Sequence, residues 1–261
     1  MNTVIGLLII AIGAFCQSSS YVPINKIRKW SWESYWLIQG VFAWLIFPIL
    51  GALLAVPQGH GLFELYAAAP KESFLTMFFG VLWGVGGLTF GLSMRYLGVA
   101  LGQSIALGTC AGLGTIMGPV LLNIFFPELD ALSSLTAAVI IGVVTTLAGI
   151  AIIGIAGGMK SASLSEEEKK EAVKDFNFPK GLAIALLAGF MSGCFNVGLE
   201  FGKELNFGEL TDPMFRTLPA TLLVTVGGFL TNACYCIFQN VRNRTFTDYK
   251  DGKLWASNIF F

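Results

Sequence analysis

Charged side chains are scarce in this sequence. Asp, Glu, Lys and Arg make up 12% of the 261 residues, which is about half of the share that a soluble domain carries. Hydrophobic residues reach 55%, and the mean hydropathy is +0.72. The formal net charge is zero, and no basic patch indicates a nucleic-acid partner. The composition therefore excludes an ordinary soluble domain and indicates a protein of the lipid bilayer.

Side chains that carry catalytic or metal chemistry are also rare. The chain has one histidine, His60, and five cysteines without metal-ligand spacing. All five cysteines lie inside apolar segments, where packing as small apolar residues is their usual role. The sequence contains no catalytic triad and no phosphate-binding loop. We therefore expect no enzyme activity, no cofactor and no metal.

The apolar residues form blocks that are long enough to cross a bilayer, which takes roughly 20 helical residues. No basic residue precedes the first block, so we interpret it as a retained span rather than a signal peptide. An eighth block begins near Leu254, and the sequence stops at Phe261. We therefore expect an all-α, polytopic membrane protein, present as an amino-terminal fragment. The seven predicted spans are 3–22, 34–56, 73–95, 98–126, 134–157, 181–202 and 217–240.

The basic residues lie mostly on one side of the predicted spans. The loops after the first, third, fifth and seventh spans hold 13 of the 16 Lys and Arg residues. Loops rich in Lys and Arg stay in the cytoplasm. This distribution predicts a multi-pass protein with its amino terminus outside.

The two parts of the chain on either side of a charged linker resemble each other. A shift of 175 residues aligns five identical residues of the first span with the sixth span. The sixth span comes five spans after the first, and an odd offset means that the two cross the membrane in opposite directions. The repeat is therefore inverted, as in many secondary transporters. We predict a first five-span repeat at 1–157, a cytoplasmic linker at 158–180 and a truncated second repeat at 181–261. The identities pair Gly6, Leu7, Ile9, Phe15 and Val22 with Gly181, Leu182, Ile184, Phe190 and Val197.

One helical face of the third span carries Gly80, Gly84, Gly87 and Gly91, and ends at Arg95. Steps of three and four residues keep these positions on one side of a helix. Lipid provides no hydrophobic force between helices, so small residues that allow close approach drive their association. We predict that the four glycines pack against other helices. Arg95 is interpreted as an anchor at the membrane interface.

Polar side chains form a second stripe, on the seventh span. Its members are Thr221, Thr225, Gly228, Asn232, Tyr235 and Gln239. The stripe predicts either a face that lines a hydrophilic cavity or a set of interhelical hydrogen bonds. Amides, hydroxyls and an aromatic ring suit a neutral sugar. The candidate substrate contacts are Gln17, Trp83, Gln103, Asn196, Thr225 and Asn232, and core packing is the alternative for Trp83.

No charged residue lies at the centre of a predicted span, where an ionised group is costly and usually functional. The candidates for proton coupling are Glu200, near the end of the sixth span, and Glu33, at the start of the second. An exposed ion pair with Lys203 is the alternative role of Glu200. Glu33 also suits a helix amino terminus, where an acidic residue is favourable.

Two stretches of the chain resemble the L-rhamnose–proton symporter family, a branch of the drug/metabolite transporter superfamily. The first is 26–33 followed by Trp36, and the second combines 83–87 with 91–98. The resemblance implies ten spans in two inverted halves, uptake of L-rhamnose with a proton, and a place in the bacterial inner membrane. This chain departs from that pattern by supplying seven of the ten spans.

Two other functions remain open from the sequence. One is an exporter of metabolites or drugs with the same architecture, and the other is a membrane protein that transports nothing. Polar stripes favour a sugar, whereas walls made only of aromatic residues would favour a drug.

Overall fold

The computed structural model describes residues 3–19, 27, 29–163, 165 and 175–250, together with 252, 255 and 258. These residues form helices and turns, with no strand among them. Short 3₁₀ turns connect several helices, and one of them, Thr245–Lys250, follows the last helix. The helices are α1 Thr3–Ser19, α2 Trp32–Leu53, α3 Leu62–Ala68, α4 Pro70–Leu97, α5 Val99–Phe125, α6 Ala137–Ser163, α7 Phe178–Phe201 and α8 Leu218–Asn243.

Six described helices are long and apolar enough to cross a membrane, and they match the second to seventh predicted spans. Every predicted boundary of these six lies within three residues of the boundary in the structure, except the carboxyl end of α6, which is predicted at 157 and lies at Ser163. The first predicted span coincides with α1, whose described part has 17 residues. Residues 20–22 of that span, residue 254 and much of the linker, at 164 and 166–174, lie outside the described residues.

The contacts divide the chain into two units, one of residues 1–39 and 234–261, and one of residues 40–233. In the second unit, α7 packs lengthwise against both α4 and α5. Small residues allow this close approach, since lipid itself gives helices no reason to associate. A Cβ atom added to Gly86 of α4 would lie 2.7 Å from the backbone nitrogen of Ser192 on α7.

One face of α7, which meets α4 at Gly181 and α5 at Gly189 and Gly193, carries small residues at steps of four. Gly181, Ala185, Gly189 and Gly193 are all buried. A Cβ atom on Gly189 would lie 2.5 Å from the carbonyl oxygen of Ala106 on α5. Because the residues on this face are small, the backbones lie so close that a larger side chain at Gly189 would collide with α5.

Stacked aromatic rings extend the contacts at the carboxyl end of α7. The ring of Phe201 stacks on that of Phe79 from α4 at 5.2 Å, and it meets Phe125 edge-on at 5.6 Å. By contrast, α6 is almost wholly exposed on its apolar faces, with Ile141 at 66% and Ile152 at 67%. Such exposure of large apolar residues suits a surface that faces lipid.

The middle of α2 is a π-helical segment, Val41–Ile46, followed by Pro48. Proline has no backbone N–H and its ring collides with the carbonyl of the residue four positions earlier. That carbonyl belongs to Trp44, so a wider turn at this point relieves the collision. Pi-helical turns occur often at functional sites, and Trp44 lies inside this one.

Polar contacts fix the ends of several helices. Arg95 at the end of α4 donates from Nε to Asp175 at 2.7 Å, and both side chains are solvent-exposed. The adjoining backbone nitrogen of Asn177 donates to the carbonyl oxygen of Tyr96 at 3.1 Å. Tyr66 of α3 donates to the carbonyl oxygen of Pro219 at 3.0 Å, and burial raises the pKa of its hydroxyl. These bonds join segments that are distant in sequence.

Candidate functional site

The ring of Trp83 on α4 lies among residues of three other helices. Its ring centroid is 4.9 Å from that of Phe195 on α7 and 5.9 Å from that of Trp44 on α2, in edge-on geometry in both cases. Its indole also lies over Gly228 of α8, where an added Cβ would approach to 2.5 Å. The lack of a side chain at Gly228 is therefore what lets the indole lie against α8.

Asn232 lies one turn further along α8. Its Nδ2 donates to the carbonyl oxygen of Gly228 at 2.8 Å and to that of Gly84 on α4 at 3.3 Å. The neighbouring Thr231 donates from Oγ1 to the carbonyl oxygen of Val81 at 2.9 Å. Two adjacent polar side chains of α8 thus bond to the backbone of α4 beside Trp83, and Asn232 is only 4% exposed.

The other sequence-predicted ligands lie in more varied settings. Thr225 is buried, and its hydroxyl bonds to the carbonyl oxygens of Thr221 and Leu222 in its own helix. Asn196 is exposed on α7, next to Phe195, and its amide lies near Gly114 of α5. Gln103 is half-buried on α5. Gln17 belongs to α1, and its side chain lies outside the described residues.

The predicted glycine stripe of α4 divides into two parts. Gly80 and Gly84 contact α8, at Val224 and at Gly228 with Thr231 respectively. At Gly87 and Gly91, an added Cβ atom would meet no other described atom within 4 Å. Gly86 lies off the predicted stripe and contacts α7 instead. Small residues at steps of four also occur on α7, at Gly181, Ala185, Gly189 and Gly193. This spacing is visible in the sequence and could have predicted a second packing face.

The two candidate carboxylates have different surroundings. Glu200 is at the end of α7, where Oε2 lies 4.0 Å from Nζ of Lys203 and both side chains are solvent-exposed. Glu33 is only 8% exposed. Its Oε1 accepts a hydrogen bond from Nδ2 of Asn243 at 2.8 Å and another from Oγ1 of Thr245 at 3.0 Å.

Several residues of these surroundings were not predicted from the sequence. Trp44 and Phe195 supply the rings around Trp83, and Thr231 supplies a bond from α8 to α4. Trp44 lies four residues before Pro48 in the middle of a span, and this spacing could have drawn attention to it in the sequence. Asn243 and Thr245 lie in a segment that the sequence predicts only as a polar loop. No pattern in the sequence therefore indicated that they bond to Glu33.

The structure thus defines a class of protein, a polytopic helical membrane protein whose helices pack through small residues around buried aromatic and amide groups. Comparison with known families identifies the family within this class. The model of the L-rhamnose-proton symport protein (RhaT) family matches residues 1–255, and the chain belongs to that family.

Individual relatives agree with the family match. The chain is 34% identical over 238 residues to the L-rhamnose-proton symporter of Cronobacter sakazakii, which covers 90% of this chain and 66% of that protein. It is 31% identical over 236 residues to the L-rhamnose-proton symporter of Escherichia coli, covering 87% and 64%. The chain spans about two thirds of the length of these curated relatives. No solved structure matches the chain.

Proposed function

We propose that this protein is a secondary active transporter that takes up L-rhamnose together with protons across the bacterial inner membrane. The observation that carries the proposal is the family match over residues 1–255, which includes every long helix of the structure. The relatives named above are L-rhamnose-proton symporters. The six membrane-spanning helices suit such a role. A metabolite or drug exporter, or a membrane protein that transports nothing, has no comparable support.

In this proposal, the sugar binds beside Trp83. An indole presents a flat apolar face on which the C–H face of a sugar ring stacks, while nearby amides bond to its hydroxyls. The exposed amide of Asn196 follows Phe195, whose ring contacts Trp83. Asn232 holds α8 against α4 next to the same ring. Thr225, Gln103 and Gln17 remain candidate sugar contacts.

The proposed architecture has two inverted repeats, with residues 1–157 as the first and a cytoplasmic linker at 158–180. Alternating access then comes from movement of one repeat against the other. Close glycine contacts such as Gly84 with Gly228 suit this movement, because helices that meet through residues without side chains can slide with few collisions. The excess of Lys and Arg after odd-numbered spans supports a topology with the amino terminus outside.

Uptake of labelled L-rhamnose into proteoliposomes tests the proposed function. We expect accumulation when the outside is made acidic relative to the inside, and none when a protonophore removes the gradient. Trp83→Ala should abolish accumulation, whereas Trp44→Phe should keep a ring in the cluster and retain it. Uptake no greater than in protein-free liposomes would contradict the proposal.

A further inference from the structure

Side-chain hydrogen bonds join the start of α2 to the end of α8. Both segments belong to the first of the two units of the chain. Oγ of Ser34 donates to Oδ1 of Asn240 at 2.9 Å, and both side chains are fully buried. About one turn further along α8, Nδ2 of Asn243 donates to Oε1 of Glu33 at 2.8 Å. Two consecutive residues of α2 therefore bond to two successive turns of α8.

The 3₁₀ turn after α8, which we call the strap, covers the same end of α2. Oδ2 of Asp248 accepts hydrogen bonds from the backbone nitrogen and from Oγ of Ser31, each at 2.9 Å. The hydroxyl of Tyr249 donates to the carbonyl oxygen of Ser34 at 2.9 Å. Ser31 immediately precedes α2, and an acidic group is favourable at the amino terminus of a helix. The strap therefore caps α2 from a position 217 residues away.

Aromatic rings hold the strap in place. The ring of Trp30 meets the rings of Tyr249 and Trp255 edge-on, with centroids 5.5 and 5.2 Å apart. Nε1 of Trp255 also donates to the carbonyl oxygen of Tyr249 at 2.8 Å. Packing and hydrogen bonds thus combine to keep the strap against the start of α2.

This polar contact differs from the contact of α8 with α4. There, an added Cβ at Gly84 would lie 2.8 Å from the carbonyl oxygen of Gly228, so the two backbones approach closely. Hydrogen-bonding groups that separate can bond to water instead, and the net free energy of each such bond is therefore small. Arg242 and Arg244 beside the polar contact are exposed, and charged side chains need water around them. The start of α2 can therefore leave α8 with water taking over the broken bonds.

The helix type of α2 changes directly beyond this contact. Its first α-helical segment is Trp32–Gly40, and the π-helical segment Val41–Ile46 follows. Helices bend at π-helical turns, and such turns occur often at functional sites. The first segment of α2 is thus a short arm that can swing about the π-helical turn.

We propose that the contact of Glu33 and Ser34 with Asn240 and Asn243 is a gate that closes the cytoplasmic end of the transport path. The inference rests on the proposed function and topology, in which α2 belongs to the first repeat and α8 to the second. Release of the sugar into the cytoplasm requires the hydrogen bonds of the gate to break and the start of α2 to move away from α8. The same bonds form again when the gate closes.

Cysteine labelling tests whether the gate opens. In a background without native cysteines, Ser34→Cys replaces one atom at a fully buried position of the gate. A membrane-impermeant thiol reagent, applied to the cytoplasmic side of inside-out vesicles, should label this position. The labelling rate should change when L-rhamnose is added, which fraying of a helix end would not cause.

Ser93→Cys is the matched control for this labelling. Ser93 is also fully buried, and it lies near the end of α4, where an added Cβ at Gly102 of α5 would lie 3.1 Å from its carbonyl carbon. Both helices belong to the first proposed repeat, so this position should stay unlabelled. Labelling of Ser34→Cys no faster than that of Ser93→Cys, or at a rate that L-rhamnose leaves unchanged in a transporting protein, overturns the gate.

A reversible lock gives a second measurement that compares two forms of one folded protein. Ser31→Cys combined with Asp248→Cys places two thiols where oxygen atoms now lie 2.9 Å apart. A short bifunctional thiol reagent joined through disulfides should abolish rhamnose uptake, and a reducing agent should restore it. Each single variant, treated in the same way, should keep its uptake. Equal uptake by the joined and the reduced double variant overturns the gate.

The two measurements separate the gate from the proposed function. If the parent protein accumulates no L-rhamnose while Ser34→Cys is labelled and Ser93→Cys is not, the proposed function fails and the opening of this contact stands. If the parent protein accumulates L-rhamnose and the joined double variant does so equally, the gate fails and the proposed function stands.

Discussion

Asn232 of α8 donates a hydrogen bond from Nδ2 to the backbone carbonyl oxygen of Gly84 on α4, over 3.3 Å. The missing side chain at Gly84 is what permits the approach, because a Cβ there would lie 2.7 Å from Cβ of Thr231 and 2.8 Å from the carbonyl oxygen of Gly228. The polar stripe of one helix and the glycine stripe of another therefore meet at a single contact, directly beside Trp83.

Replacement of Asn232 separates a role in packing from a role in sugar binding. Asn232→Leu and Thr231→Val each remove one bond from α8 to the backbone of α4. Interhelical bonds in membranes contribute about 0.6 kcal/mol on average, so both variants should lose similar, small amounts of stability. If Asn232 serves the sugar site, only Asn232→Leu should lose rhamnose uptake. Equal uptake by the two variants would reduce Asn232 to a packing residue.

The two parts of the glycine stripe should respond differently to the same substitution. Gly84→Ala inserts a methyl group against α8 and should destabilise the protein by about 1–3 kcal/mol, the usual cost of overpacking. Gly87→Ala meets open space among the described residues and gains up to about 1 kcal/mol of helix propensity. Unfolding in detergent measures both. Equal destabilisation by the two alanines would show that Gly87 also packs.

The small-residue face of α7 gives a parallel prediction. Gly189→Ala places a methyl group 2.5 Å from the carbonyl oxygen of Ala106, and backbone atoms cannot move aside as a flexible side chain does. We expect a lower melting temperature and reduced expression in the membrane. Gly149→Ala on α6 is the matched control, because an added Cβ there contacts no other described atom within 4 Å. A stable Gly189→Ala protein would contradict the close contact of α7 with α5.

The predicted topology places the two ends of α6 on opposite sides of the membrane. In a background without native cysteines, Glu128→Cys precedes α6 and Lys160→Cys lies in its last turn, and both positions are exposed. A membrane-impermeant thiol reagent should label the residue at 128 in intact cells, and the residue at 160 only after permeabilisation. The reverse pattern would show that the amino terminus is inside.

Sequence patterns predicted the long helices well, because their signal is local. An apolar block of about 20 residues has few stable alternatives in a bilayer, so the boundaries of the six long helices were predicted to within three residues, except the carboxyl end of α6. The family was also recognisable, since the Trp, Arg and Gly residues of 26–33 and 83–98 stand at specific spacings. The predicted inverted repeat and the cytoplasmic linker stay predictions.

Contacts between helices were harder to predict, because they depend on which faces meet. Gly84 and Gly87 lie on one stripe of α4, yet only Gly84 contacts a neighbouring helix among the described residues. Gly86 points away from that stripe and contacts α7. Spacing along one helix identifies a small-residue face, but the position of the partner helix decides which of its glycines are used.

The surroundings of Glu33 show the same limit for polar groups. Its position at the start of α2 was evident from the sequence, whereas its partners Asn243 and Thr245 are more than 200 positions away in the chain. Their contribution appears only when the end of α8 lies beside the start of α2. Long-range hydrogen bonds of this kind leave no periodic pattern in the sequence.

Rhamnose-induced proton movement tests the central claim most directly. Proteoliposomes in lightly buffered medium, without any imposed gradient, receive L-rhamnose while a pH electrode records the outside. Symport predicts alkalinisation of the medium on adding L-rhamnose, absent with a non-substrate sugar and with a protonophore. Rhamnose entry without any pH change, or no entry at all, would contradict proton-coupled uptake.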